Sequence, residues 1–93
     1  MKRSSIIENR RKSVAPEVRR RVDLSFMIVD RISEVLHDRG LRQKDFASML
    51  GKKESEISKW MRGTHNFTLD TITHIENVLG VEILQVAGSG KEA

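Results

Sequence analysis

The 93-residue chain contains no cysteine. This absence excludes disulfide frameworks, thiolate metal sites and thiol nucleophiles together, and it favours a cytoplasmic location. Hydrophobic runs are also short: stretches such as 26–29 fall far below the roughly 20 apolar residues that a membrane-spanning helix requires. The sequence therefore predicts no transmembrane segment, no secretory signal and no membrane partner.

Aromatic residues are few, since tyrosine is absent and the only rings belong to Phe26, Phe46, Trp60 and Phe67. A hydrophobic share of 38% supplies a small core but no large internal cavity. The length fits one compact domain, at about 100 to 200 residues per domain, and leaves no room for a second catalytic lobe. A deep-pocket enzyme is therefore disfavoured.

The three histidines, His37, His65 and His74, lie far apart in the sequence. None has carboxylate or cysteine companions at the spacing of metal ligands or of a catalytic pair. We therefore expect no metal site, no cofactor and no enzymatic activity.

Positive charge is concentrated near the N-terminus. Residues 1–21 carry eight lysines or arginines against Glu8 and Glu17, whereas the remaining 72 residues carry nine basic and eleven acidic groups. A second positive stretch runs from Arg42 to Arg62, with six basic and three acidic residues. Two basic surfaces are thus available to an anionic partner. The N-terminal basic surface is predicted to be an arm over residues 1–15. Three roles for this arm stay open: a solvated tail, a contact with DNA and a contact with a protein.

Hydrophobic periodicity predicts four helices in a domain spanning residues 16–86. Pro16 suits the first turn of a long helix, which runs to Arg39 and ends before Gly40. At roughly 36 Å, its first turns should protrude or pack on another subunit. The residues expected to face inward from it are Val18, Val22, Phe26, Val29, Ile32 and Leu36. The arm before it is predicted to hold a short helix from Ile6 to Lys12.

Three shorter helices follow, from Gln43 to Leu50, from Glu54 to Arg62 and from Leu69 to Leu79. Thr68 is expected to cap the last of them. Its predicted inward side consists of Leu69, Ile72, Ile75 and Leu79. On the helical wheel of 54–62, Ile57, Trp60 and Met61 share one side, and Ser55, Lys59 and Arg62 share the opposite side.

Two short helices joined by a glycine turn form the arrangement in which one helix spans the DNA backbone and the next enters the major groove. Over residues 43–62 the chain resembles the Cro and phage-repressor family, also called XRE-type helix-turn-helix proteins. The resemblance extends over residues 28–84 and implies an all-α, lambda-repressor-like helical bundle. The string at 60–69 is further similar to antitoxins of the host-inhibition-of-growth type. The six positions that match the family pattern are Phe46, Ala47, Leu50, Gly51, Ile57 and Trp60.

Three positions depart from the family pattern. Arg42 and Lys53 stand where the family usually has a Ser or Thr helix cap, and Lys52 replaces a usual Val. Loss of a capping hydroxyl costs about 1 kcal/mol. Acidic residues in the first turns, such as Asp45 and Glu54, can partly offset that loss through the helix dipole.

The position of each side chain in the motif implies its role toward DNA. Ser55 and Lys59 are assigned to base edges, Ser58 supplies a further hydroxyl, and Glu54 could accept from a cytosine amino group or only balance the helix dipole. Trp60 is expected to be structural. The side chains expected to meet phosphates are Gln43, Lys44, Lys52, Arg62, His65 and Asn66, and Lys53 belongs to the same surface.

The segment from Val81 to Val86 is rich in β-branched residues and predicts a short strand, followed by a flexible tail at 87–93. Because this strand has no partner within the chain, pairing with a second copy would satisfy its backbone groups. We therefore expect a twofold homodimer. Its two reading helices, about 34 Å apart, would favour an inverted repeat in double-stranded DNA.

The sequence thus predicts a dimeric, sequence-specific DNA-binding transcription regulator that represses by occupying a promoter. The antitoxin resemblance implies, in addition, neutralisation of a partner toxin through the arm or the long helix. The alternative is a protein-interaction module that binds a toxin or another regulator without reading DNA. RNA binding is disfavoured, because exposed aromatic platforms for single-stranded bases are lacking.

Overall fold

The computed structural model describes residues 15–88. Within this range the chain forms four helices: α1 (Pro16–Asp38), α2 (Gln43–Leu50), α3 (Glu54–Trp60) and α4 (Leu69–Leu79). The all-α class and the bounds of α2 and α4 are confirmed, while α1 ends one residue and α3 two residues earlier than predicted. Residues 1–14 of the predicted arm, with the helix predicted from Ile6 to Lys12, and residues 89–93 of the predicted tail lie outside the described range.

Helix α1 begins as its sequence indicates. Pro16 occupies the first turn, and the carbonyl of Ala15 accepts hydrogen bonds from the N–H groups of Val18 and Arg19 at 3.0 and 3.1 Å. With 23 residues the helix is about 34 Å long. Its first buried residue is Ser25. Only the C-terminal part of α1 therefore contributes to the core, and its first turns project beyond it.

The inward side of α1 differs from the predicted one in the N-terminal half of the helix. Val18 is 39% exposed and Phe26 is 44% exposed, so both expectations are wrong. Val18, Val22 and Phe26 are spaced four residues apart, which is slightly more than one helical turn, so successive side chains rotate around the helix axis. The predicted apolar stripe therefore moves away from the side that the other helices cover. Val29, Ile32 and Leu36 are buried as predicted, and Val22 is half-buried. Ser25, Ile28 and Val35 are buried in addition.

The turn between α2 and α3 is made by a left-handed glycine. Gly51 has φ 73°, its N–H donates to the carbonyl of Ser48, and the N–H of Lys52 donates to the carbonyl of Ala47 at 2.9 Å. These two bonds close the last turn of α2 in a Schellman arrangement. The chain therefore reverses within three residues, and α3 packs against α2 through the buried side chains of Phe46, Ala47, Leu50, Ile57 and Trp60.

Helix α4 closes the bundle. The hydroxyl of Thr68 accepts the N–H of Thr71 at 3.1 Å, which confirms the predicted cap. Ile72, Ile75 and Leu79 are buried as expected, but Leu69 is 67% exposed and does not face inward. It is the first residue of the helix and lines an open surface cavity together with residues of α1.

The predicted strand at 81–86 does not form, and residues 15–88 contain no β-strand. The N–H groups of Ile83 and Leu84 both donate to the same carboxylate oxygen of Glu76, at 2.8 and 2.9 Å. In an extended strand the backbone N–H groups of consecutive residues point in opposite directions. Two consecutive N–H groups that donate to one oxygen atom are therefore incompatible with a strand at Ile83 and Leu84. Glu76 therefore satisfies two of the backbone groups that the predicted strand would have offered to a second copy.

Candidate nucleic-acid interface

Helix α3 presents its polar side to solvent and its apolar side to the core. Ile57 and Trp60 are buried, whereas Ser55, Ser58 and Lys59 are exposed. Ile57 and Trp60 lie on the side of the helix that packs on α2, as the helical wheel predicts. The side chains assigned to base edges are therefore displayed on a helix that the core holds in place.

The remaining predicted contact residues are accessible with one partial exception. His65 is half-buried, and all the others are exposed. They come from three places in the chain: the start of α2, the α2–α3 turn with the start of α3, and the loop after α3. The exposed members are Gln43, Lys44, Lys52, Lys53, Glu54, Arg62 and Asn66.

Ion pairs neutralise part of the positive charge of this surface. Arg42 pairs with Asp45 at 3.3 Å, and Lys52 pairs with Glu56 at 3.6 Å. Of the six basic and three acidic residues between positions 42 and 62, four cations and one carboxylate remain without an ion pair to described residues. The cations are Lys44, Lys53, Lys59 and Arg62, and the carboxylate is Glu54. Their net charge favours a polyanion.

The start of α2 shows how the chain compensates for a missing capping hydroxyl. The carboxylate of Asp45 accepts the backbone N–H of Arg42 at 2.8 Å, which is one half of a capping box. This backbone hydrogen bond, together with the Arg42 guanidinium, lowers the pKa of Asp45. The start of α3 has no side-chain cap from Lys53, but Glu54 and Glu56 lie in its first turn, where they interact favourably with the helix dipole.

His65 is held by neighbouring rings. Its imidazole stacks on Trp60, with ring centroids 5.4 Å apart, and meets Phe67 edge-on at 4.7 Å. Burial lowers the pKa of His65, outweighing the opposite effect of Glu56. The imidazole is therefore neutral at neutral pH, and its side chain braces the loop against α3 without adding positive charge.

Two residues of α1 that sequence reasoning did not connect with the site fix the loop after α3. The hydroxyl of Ser25 donates to the backbone carbonyl of His65 at 2.7 Å. The ring of Phe26 covers Gly63, whose φ of 89° suits glycine and where a Cβ atom would overlap the ring. A polar residue between apolar neighbours was the only sequence signal for Ser25. Its partner is 40 residues away and could not be identified from the sequence.

The match to a known family covers more than half of the chain. The sequence model described as helix-turn-helix matches residues 32–86. The chain therefore belongs to the helix-turn-helix family of the Cro and phage-repressor (XRE) type, a class of DNA-binding transcription regulators. No curated protein and no solved structure matches the sequence.

Two further features concern the described residues only. No helix in the range 15–88 is long and apolar enough to cross a membrane. Among the same residues, no group of three or more His, Asp or Glu side chains is arranged to hold a metal ion.

Proposed function

We propose that this protein is a sequence-specific repressor that reads double-stranded DNA with α3. The observation that carries the proposal is the exposed polar side of α3, which projects from a helix whose apolar side is buried. Four cations without ion pairs to described residues lie on or beside α2 and α3. A promoter occupied by this surface would be closed to transcription.

Each side chain takes a role that its position supports. Lys59 and Ser55 contact base edges, because they lie on the exposed side of α3. Lys44, Lys53 and Arg62 bind phosphates from positions that flank this helix. Glu54, which lies at the helix start without an ion pair to described residues, accepts from a cytosine amino group or repels misplaced phosphates.

We propose further that the protein binds an inverted repeat as a homodimer. Helix α3 has seven residues and is about 10 Å long, so one copy spans only about three base pairs. A twofold dimer doubles that reading length and places the second α3 one helical turn away. Because residues 81–86 form no strand in the described chain, this dimer is not assigned to strand pairing. Light scattering of the protein alone and on its operator measures the stoichiometry, and one chain per operator would contradict the dimer.

Fluorescence anisotropy with a duplex from the region upstream of the gene tests DNA reading. Loss of a base contact costs about 1 to 3 kcal/mol, so Lys59→Ala should weaken binding about tenfold or more, and Ser55→Ala should also weaken it. Arg31→Ala removes a cation of α1 and is the matched control, with little change expected. Equal affinity for a scrambled duplex, or equal loss in the control, would contradict sequence reading by α3.

The salt dependence of the same titration separates phosphate contacts from base contacts. Each phosphate neutralised contributes about −0.9 to the slope of log K against log salt concentration. Arg62→Ala should reduce the size of this slope by about one per chain and weaken specific and scrambled duplexes alike. An unchanged slope would remove Arg62 from the phosphate contacts.

A second function, neutralisation of a partner toxin, is proposed from the similarity of residues 60–69 to antitoxins. Coexpression tests it: the reading frame beside this gene should arrest growth alone and fail to do so when this protein is present. A harmless neighbouring gene product would remove the antitoxin role and leave DNA reading unaffected.

A further inference from the structure

An apolar groove runs along the projecting half of α1. It consists of two adjoining cavities of about 330 and 380 Å³, which share Arg20, Leu24, Ile28 and Leu84 as lining residues. Phe67 and Ile72 complete its apolar floor, and Met27, 59% exposed, lies at its edge. None of the lining residues belongs to α3. The groove is therefore a surface apart from α3, and Asn66 at its edge is the one lining residue that is also a predicted DNA contact.

The two walls of the groove are held by hydrogen bonds between distant parts of the chain. The bond from Ser25 to the carbonyl of His65 fixes the loop that places Phe67 on one side. The carboxylate of Glu76 fixes Ile83 and Leu84 on the other side at 2.8 and 2.9 Å. The groove is thus preformed, and an occupant would not have to order it on binding.

The side of α1 that lines the groove has the spacing of a helix-pairing seam. Five of the eight residues by which α1 lines the groove, Glu17, Arg21, Leu24, Ile28 and Arg31, follow at steps of four, three, four and three residues. This alternation is the heptad pattern by which one helix accepts the side chains of another. The middle of the seam is apolar and both ends are charged, so the seam fits a helix with a short apolar stripe.

Charge selects the kind of helix. Three arginines, Arg20, Arg21 and Arg31, line the groove against one acidic residue, Glu17. Neither Arg20 nor Arg21 forms an ion pair within residues 15–88. Arg31 is paired with Glu34. A second copy docking through the same surface would bring together Arg20 and Arg21 of both copies, four arginines without ion pairs to described residues, against two glutamates, which opposes self-association. The phosphate backbone of a nucleic acid would make no favourable contact with the apolar floor of the groove.

From this geometry we infer that the groove is a docking site for an amphipathic helix of a protein partner, with apolar residues at heptad spacing and acidic residues beside them. Its apolar side chains lie on Leu24, Ile28 and Leu84, and its carboxylates meet Arg20 and Arg21. The inference rests on this surface alone and holds whether or not the protein reads DNA.

Two synthetic helical peptides test the inference on the full-length, isotope-labelled protein in the absence of DNA. Both carry leucines at heptad spacing; one has flanking glutamates and the other has flanking lysines. The acidic peptide should bind and shift the amide resonances of residues 17–31 and 83–85, and the basic peptide should bind at least about tenfold more weakly. Equal affinity, or shifts confined to α3, would overturn the proposal.

Two variants with the same change in net charge locate the contact. Arg20→Glu/Arg21→Glu should weaken the acidic peptide about tenfold, whereas Lys44→Glu/Lys53→Glu should leave its affinity within about twofold. Equal weakening by both would mean that net charge, not the groove, attracts the peptide. Leu24→Ala tests the apolar floor without changing the net charge and should also weaken binding of the acidic peptide. An unchanged affinity in this variant would exclude the groove as the binding site.

Two measurements without peptide test the other occupants. If a second copy filled the groove, the resonances of Leu24 and Ile28 would shift with protein concentration. If the basic arm filled it, a nitroxide label on a Ser4→Cys variant would broaden the same resonances; the label is specific because the chain has no other cysteine. Either result would overturn the proposal, and their absence together with acidic-peptide binding supports it.

Discussion

The carboxylate of Glu76 fixes the segment after α4, and Glu76→Gln measures how much this contact contributes. The side chain accepts two backbone N–H groups, those of Ile83 and Leu84. Hydrogen bonds to a charged acceptor contribute about 1.5 to 3 kcal/mol, against about 0.5 to 1.5 kcal/mol for neutral pairs. Loss of the charge at two bonds would therefore cost about 2 kcal/mol. Screening by solvent at this partly exposed site reduces the expected loss to about 1 kcal/mol.

The effect should depend on pH in a defined direction. The hydrogen bonds from Leu84 and Ile83 lower the pKa of Glu76 below its ordinary value of 4.5. A carboxyl group whose pKa is lower in the folded protein contributes its full stability above the pKa of the unfolded chain. That contribution is lost as the pH falls from 4.5 through the folded pKa. The wild type and Glu76→Gln should therefore differ most at neutral pH and converge in acid.

Urea unfolding followed by circular dichroism at a series of pH values measures this difference. At neutral pH the variant's free energy of unfolding should be lower by about 1 kcal/mol. In thermal unfolding the same loss corresponds to a decrease in Tm of roughly 4 to 8 °C for a domain of this size. Glu34→Gln is the matched control, because Glu34 forms an exposed ion pair with Arg31 at 2.8 Å and should contribute less than about 0.5 kcal/mol. A Glu76→Gln variant as stable as the wild type at neutral pH, or a difference that grows in acid, would refute the assigned contact.

Two other substitutions test contacts that hold the helices in register. Thr68→Ala removes the cap of α4 and should lower the free energy of unfolding by about 1 kcal/mol. Thr68→Ser keeps the hydroxyl and should retain most of the stability. Equal losses for both variants in denaturant unfolding would show that the hydroxyl does not supply the stabilisation. Gly63→Ala combines an unfavourable positive φ with overlap on the Phe26 ring and should cost about 1 to 2 kcal/mol. In a double-mutant cycle, Phe26→Ala should relieve part of that cost, and strict additivity would exclude the ring overlap.

The local pattern of the sequence was sufficient for the helices and for the direction in which α3 faces. Proline at the start of α1, glycine after α2 and threonine before α4 each act within a few residues of the position that they determine. The same holds for the buried Ile57 and Trp60, which follow from helical spacing and confirm the polar side of α3 as its outer side. The exposure of Ser55, Ser58 and Lys59 on α3 thus follows from the sequence, whereas their contacts with DNA stay predictions.

Periodicity did not show which part of an apolar stripe the rest of the protein covers. Phe26 and Leu69 satisfy the helical pattern, yet both are exposed. Phe26 covers Gly63 in the loop after α3, and Leu69 lines an open surface cavity. In the same way, the β-branched residues at 81–86 indicated a strand, and the carboxylate of Glu76 overrode that tendency by binding their backbone. The β-propensity of these residues is weak compared with two backbone hydrogen bonds to a carboxylate.

The sequence alone determined the helices, the turn between α2 and α3 and the polar side of α3, because those features depend on residues within a few positions of one another. Tertiary structure decided which cations remain without ion pairs, how Ser25 fixes the loop at His65, and that α1 and the segment at 83–84 enclose a groove. These features join residues far apart in the chain, such as Ser25 and His65, which are 40 positions apart. The chain path brings such residues together, and no local pattern encodes that path.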